Sequence, residues 1–251
     1  MLSNLEKIST KNRYLFLAYD HGMEHGPADL DEKSIDPNYI LEIAKLGGYN
    51  AVIFQKGVAE KYYKNSPFSK KVPLIVKLNG KSNLAKAEPY SPQECSVAFA
   101  KELGAIAVGY TIYLGSRKEY KMFQAFGKIV EEARKLGLPA IAWVYPRGSD
   151  IENDASPEIT AYAARIGLEL GADMVKIKYS GSKESFAWAV KAAGKTKVVL
   201  SGGPKVSDEE FLDIVKNVME AGGAGVAVGR NVWQHQDPLL MTQKLKEIIF
   251  K

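Results

Sequence analysis

In 251 residues the chain has one cysteine, Cys95, and three histidines, His21, His25 and His235. A lone cysteine closes no intramolecular disulfide, and without a cysteine cluster no zinc-holding Cys set can form. No N-terminal stretch has the apolar core of a signal peptide, and no run approaches the roughly 20 apolar residues of a membrane span. These absences lead to the expectation of a cytoplasmic protein with no membrane partner. The formal charge is only +5, and lysines interleave with acids, as in Lys101-Glu102 and Lys118-Glu119-Tyr120-Lys121. No basic run or nucleic-acid motif is present, so nucleic acid is not expected as a partner. A mildly positive field does suit phosphorylated metabolites. No linker, repeat or low-complexity segment divides the chain, which predicts one domain over 1–251.

What is present is alternation. Short apolar β-type runs fall at 14–19, 51–55, 74–78, 105–111, 140–145, 174–179, 198–201 and 225–228. Helix-favouring stretches lie between them, at 37–46, 58–63, 92–103, 118–136, 157–170, 183–193, 208–221 and 238–250. Ser156-Pro157-Glu158 and Ser207-Asp208-Glu209-Glu210 read as helix starts, and Gly104, Gly137, Gly171 and Gly194 as stops. Continuous apolar strands alternating with helices mean a parallel sheet covered by helices. Eight such units in about 250 residues have the size of an α/β (β/α)₈ barrel. A doubly wound sheet would carry a glycine-rich fingerprint after its first strand. Asp20-His21-Gly22-Met23-Glu24-His25-Gly26-Pro27 stands there instead.

The sixth strand is the odd one, because Met174-Val175-Lys176-Ile177-Lys178-Tyr179 places two lysines in an apolar run. Lysine is rarely buried without a partner or a use. Burial lowers its pKa and frees the amine to attack a carbonyl. Two residues apart, Lys176 and Lys178 are expected on one face, each disfavouring the other's charge. Barrel chemistry sits at the C-terminal ends of the strands, where further polar residues fall: Asp20, His21 and His25 after the first strand, and Arg147 after the fifth. Trp143 and Tyr145 share parity and are expected to face the barrel interior, where Tyr145 would serve as acid or base. Ser201-Gly202-Gly203 and Gly229-Arg230 follow strands seven and eight, the usual phosphate site of this fold. Either Arg230 or Lys205 would supply the charge, and Arg147 would hold a second anionic group. His21-x-x-Glu24-His25 matches an inverted zinc-protease pattern. That motif needs a helix, and a segment with Gly22 inside it and Gly26-Pro27 after it reads as a loop. His235 lies far along the chain and is expected at the surface.

With these motifs assembled, the chain resembles an archaeal-type class I fructose-1,6-bisphosphate aldolase over essentially its whole length. The resemblance is carried by residues 18–27, Trp143-x-Tyr145-Pro146-Arg147-Gly148, Val175-Lys176-Ile177-Lys178-Tyr179, Ser201-Gly202-Gly203-Pro204-Lys205 and Val228-Gly229-Arg230-Asn231-Val232-Trp233. It implies Lys176 as the Schiff-base lysine, Tyr145 as the proton-transferring tyrosine and Asp20 as the strand-one aspartate. It implies Gly202, Gly203, Gly229 and Arg230 as phosphate binders; His21, His25, Trp143, Arg147, Lys178 and Ser201 are expected to join them in the substrate site by their place at the strand ends. A phosphosugar substrate, a mechanism without metal or other cofactor, and a large, often decameric homo-oligomer follow from it. A sister group that makes an aminodideoxy-heptulosonate precursor shares the lysine and tyrosine, and Trp143 favours the fructose-bisphosphate group. A phosphosugar isomerase and a non-catalytic sugar-phosphate binder on the same barrel are the other classes open to this sequence. The acidic stretch 150–154 has no assignment at this stage.

Overall fold

The computed structural model describes residues 4–84 and 86–251. Eight parallel strands close into a barrel in sequence order: β1 (Tyr14–Tyr19), β2 (Ala51–Gln55), β3 (Leu74–Lys77), β4 (Ala105–Leu114), β5 (Ala140–Pro146), β6 (Met174–Ile177), β7 (Lys197–Ser201) and β8 (Gly225–Val228). The β1–β8 pairing, Tyr14 opposite Gly225 and Leu17 opposite Val228, shuts the ring.

Strand alternation divides the apolar residues into two cores. Tyr14, Phe16, Ile53, Ile75, Ile141, Trp143, Met174 and Val199 fill the barrel itself. Leu15, Leu17, Val52, Phe54, Val76, Val144, Val175 and Leu200 face outward, packed under the surrounding helices. Both faces of each strand are dry, which is why the strands read as continuous apolar runs. The predicted caps hold: Ser156 and Ser207 accept from Ile159 N and Glu210 N, and Gly137 ends the helix Glu119–Leu136 at φ +71°.

Several boundaries differ from expectation, β4 running on to Leu114 among them, and two of the differences bear on the site. The helix placed at 92–103 spans only Val97–Glu102. Glu94 and Cys95 donate their N–H groups to Leu78 O at 2.9 and 3.0 Å, which ties the preceding segment to the end of β3. Ser96 then provides the cap, accepting from Phe99 N. Strand β6 stops at Ile177 rather than at Tyr179. Its ladder to β5 ends at Trp143–Lys176 and its ladder to β7 at Ile177–Leu200, so Lys178 has no strand partner.

Candidate active site

Inward parity at the C-terminal ends of the strands delivers polar side chains to one cleft of about 470 Å³. On β6 the inward positions are Met174 and then Lys176, which is 5% exposed. Its ladder partner on β5 is Trp143, and the Lys176 ammonium stands 5.4 Å from the Trp143 ring centroid. The indole needs room on β4, where Gly109 provides it: a Cβ there would lie 1.5 Å from the Trp143 ring. Two residues on, Tyr145 also points inward, its hydroxyl 3.2 Å from Ser201 Oγ on β7. Trp143 and Tyr145 thus lie where strand parity put them.

The paired-lysine expectation needs correction. Lys178 lies beyond the strand, partly exposed, and its ammonium pairs with Asp154. The second buried ammonium is Lys77, at the end of β3, which is 3% exposed. It forms ion pairs with Asp20 at 3.4 Å and Glu24 at 3.0 Å. The signal was legible in Leu74-Ile75-Val76-Lys77, an apolar strand that carries a lysine at its C-terminal end, as β6 carries Lys176 next to its last residue. Glu24 was hidden by the motif around it. The segment read as a loop forms a single helical turn, Gly22–His25, with Glu24 N and His25 N both bonded to His21 O at 2.9 Å. The turn faces Glu24 inward against Lys77, so the carboxylate does not stand with the two imidazoles.

Burial and charge set the ionisation of this cluster. Burial pulls the Lys176 amine down to about 8; Asp20 and Glu24 oppose that shift and the Lys77 charge reinforces it. Burial also acts to lower Lys77, but Asp20 and Glu24 outweigh it and hold Lys77 protonated, with a pKa near 12. For Asp20, burial raises the carboxyl while Lys77 and Lys176 more than reverse it, leaving Asp20 below the usual carboxylate range. Glu24 is held low in the same way, chiefly by Lys77 and then by Arg147. Burial raises the Tyr145 hydroxyl well above the ordinary tyrosine value, although the Ser201 bond works against it. The site therefore contains an amine that can be neutral near pH 8 and a phenol that is protonated there.

Other predicted residues arrange themselves around this core. Arg147 stacks its guanidinium 5.3 Å from the Tyr145 ring centroid and 5.6 Å from that of Tyr113, and reaches Glu24 at 3.5 Å. His21 is held neutral, its pKa pushed to about 4 first by burial, and stacks on Trp233 at 5.3 Å. His25 and Arg230 meet on Asp29. Gly202 and Gly203 line the cleft beside Gly229 and Arg230. Gly203 turns at φ +65°, and a Cβ on Gly229 would stand 2.9 Å from Ala18 O. Asn231, quoted within a motif but given no role, shapes this wall: its amide donates to Gly202 O and Pro204 O at 2.8 and 2.9 Å, and its oxygen accepts from Val206 N. Of the two candidate cations, Arg230 faces the cleft, whereas Lys205 turns out to Gln234 O at 2.7 Å. His235 is partly exposed and bonded to Asp208 at 2.8 Å. The acidic stretch now has one assignment, Asp154 on Lys178 at the cleft rim.

The chain is similar to known aldolases along its length. Residues 14–235 match the family model described as DeoC/LacD family aldolase. The class 1 fructose-bisphosphate aldolase of Thermoproteus tenax is 52% identical over 249 residues, covering 98% of this chain and 93% of the relative. That of Halobacterium salinarum is 45% identical over 246 residues, covering 97% and 93%. Among solved structures, an archaeal fructose-1,6-bisphosphate aldolase, with its catalytic lysine covalently bound to the carbinolamine intermediate of its substrate, superposes with a TM-score of 0.94. It is 51% identical, with 98% of each chain covered.

Proposed function

The chain belongs to the DeoC/LacD family of aldolases, among its class I fructose-bisphosphate aldolases, and from that premise we propose Lys176 as its Schiff-base nucleophile. The reaction is the reversible cleavage of fructose 1,6-bisphosphate to dihydroxyacetone phosphate and glyceraldehyde 3-phosphate. The observation that carries the assignment is the contrast between two buried lysines. Lys77 is held charged by two carboxylates, while Lys176 has its amine pulled down to about 8. Only the second can be a nucleophile near neutral pH.

Neutral Lys176 attacks the ketose carbonyl to form a carbinolamine. Tyr145, protonated because it is buried, gives its proton to the departing hydroxyl, and water leaves an iminium ion. The resulting phenolate stands beside the Arg147 guanidinium and takes the proton of the C4 hydroxyl. The C3–C4 bond then breaks, its electron pair flowing into the iminium to give an enamine. Protonation and hydrolysis of the enamine return Lys176. Asp20, held ionised by Lys77, accepts from a substrate hydroxyl. The loops after β7 and β8, with Arg230, hold one phosphate; Arg147 and Lys178 serve the other end, with His21 and His25 on the wall between.

Borohydride reduction in the presence of fructose 1,6-bisphosphate tests the assignment. Mass spectrometry should locate the reduced adduct on the peptide at Lys176. An adduct on Lys77 or Lys178 would sink the residue assignment, and no adduct would sink the Schiff base. The isomerase and sugar-phosphate sensor alternatives give way to family membership, since neither uses a carbonyl-capturing lysine. Cytoplasmic residence and homo-oligomeric assembly complete the proposal, supported by the resemblance of the sequence. Light scattering on the purified protein tests the assembly.

A further inference from the structure

Asp29 closes the short turn Pro27–Asp29 and stands outside the residues that line the cleft. Its Oδ2 nevertheless gathers two side chains that do line it. Arg230 donates from Nη1 at 3.1 Å, and His25 Nδ1 lies 2.7 Å away. The other terminal nitrogen of Arg230, Nη2, donates to Gly203 O at 3.2 Å. The guanidinium is thus pinned from two sides, by the turn after β1 and by the loop after β7. Asp29 is itself anchored, because its carbonyl accepts from Gln234 Nε2 at 2.7 Å. A guanidinium carries five N–H donors in a fixed fork, so two protein contacts leave three for a ligand.

The position of the carboxylate decides its role. Inside the cleft it would compete with an incoming anion for the same donors. Behind them it removes their rotamer freedom before the anion arrives, which lowers the ordering cost of binding. We propose that Asp29 is a positioning residue for phosphate, orienting Arg230 so that its remaining donors converge on one phosphate group of the substrate. This deepens the aldolase reading and rests on it for the identity of the substrate. The anion site itself is testable without turnover.

The test titrates inorganic phosphate into the intact enzyme by calorimetry and measures steady-state cleavage in parallel. In Asp29→Asn, the Kd for phosphate and the KM for fructose 1,6-bisphosphate should both rise about tenfold, about 1.4 kcal/mol. The kcat should stay within twofold, because the change does not touch Lys176 or Tyr145. Asp29→Glu, which keeps the charge, should fall between Asp29→Asn and the unmodified enzyme. Unchanged phosphate binding in Asp29→Asn overturns the proposal, and tighter binding would make Asp29 a competitor instead. Equal weakening in both variants together with a lowered melting temperature would reduce its role to a structural one. If phosphate binding responds as expected but the unmodified enzyme cleaves no fructose 1,6-bisphosphate, the aldolase reading fails and the positioning role stands. The converse result sinks only Asp29.

Discussion

Lys77 Nζ lies 3.4 Å from Asp20 Oδ2 inside the barrel, an ion pair between the ends of β3 and β1 with both side chains less than a tenth exposed. The pair sits within the electrostatic reach of Lys176 and adjusts, from both directions, an ionisation that burial chiefly sets. Lys77 disfavours the Lys176 charge and Asp20 favours it.

Removing Lys77 should therefore move the pH dependence of catalysis. In Lys77→Met the repulsion on Lys176 is lost, and Asp20 and Glu24 lose their principal cation. Both changes favour a charged Lys176. The acid limb of kcat/KM should shift to higher pH by about one unit or more, measured as a pH–rate profile against the unmodified enzyme. A limb that stays in place would detach Lys77 from the tuning of the nucleophile.

For the unmodified enzyme, cleavage should rise with pH through an apparent pKa near 8, the value of the Lys176 amine. That pKa belongs to the coupled cluster as a whole. The stability linkage has a definite sign. Lys176 is depressed in the folded state below its unfolded value of about 10.5, so between about 8 and 10.5 the unfolded chain binds more protons. This group then makes stability rise with pH across that window. Lys176→Met, which removes a largely charged buried amine, should raise the melting temperature at pH 7. A lower melting temperature would refute this account.

Tyr145→Phe should reduce turnover by roughly 10²–10⁴-fold, the usual contribution of a positioned acid or base. Carbinolamine formation, seen by mass spectrometry of the unreduced complex, should persist. Turnover equal to the unmodified enzyme would take Tyr145 out of the reaction.

Gly109→Ala tests the floor of the site. Its Cβ would overlap the Trp143 ring at 1.5 Å, so the indole has to move from beneath Lys176. Overpacking of this kind costs about 1–3 kcal/mol, read as a lower denaturation midpoint, and kcat should fall with it. A variant of undiminished stability would show that Trp143 has somewhere else to go.

The proposed chemistry runs on an amine, so cleavage should survive exhaustive treatment with EDTA. Complete loss of activity, restored by zinc, would replace the Schiff-base mechanism with a metal-dependent one.

The barrel is written in the amino-acid order, because a parallel strand buried on both faces has to be apolar throughout and eight such runs alternate with helices. The same order also determined which ends carry chemistry. Lys176, Tyr145, Trp143 and Ser201 reached the cleft by strand parity, a local property that survives without knowledge of neighbours. What parity cannot supply is where a strand stops and which side chain stands opposite. Strand β6 ends at Ile177 because its ladders run out there, and only this releases Lys178 to Asp154. The partner of Lys176 in charge was not two residues away but across the barrel, at Lys77, 99 positions earlier in the chain. Asp29 is likewise unreadable in sequence, since it is joined to Arg230 by closure of the barrel between β1 and β8. Burial and apolar patterning are written along the chain. Charge pairing at the site is decided by which strand ends the closed barrel brings face to face.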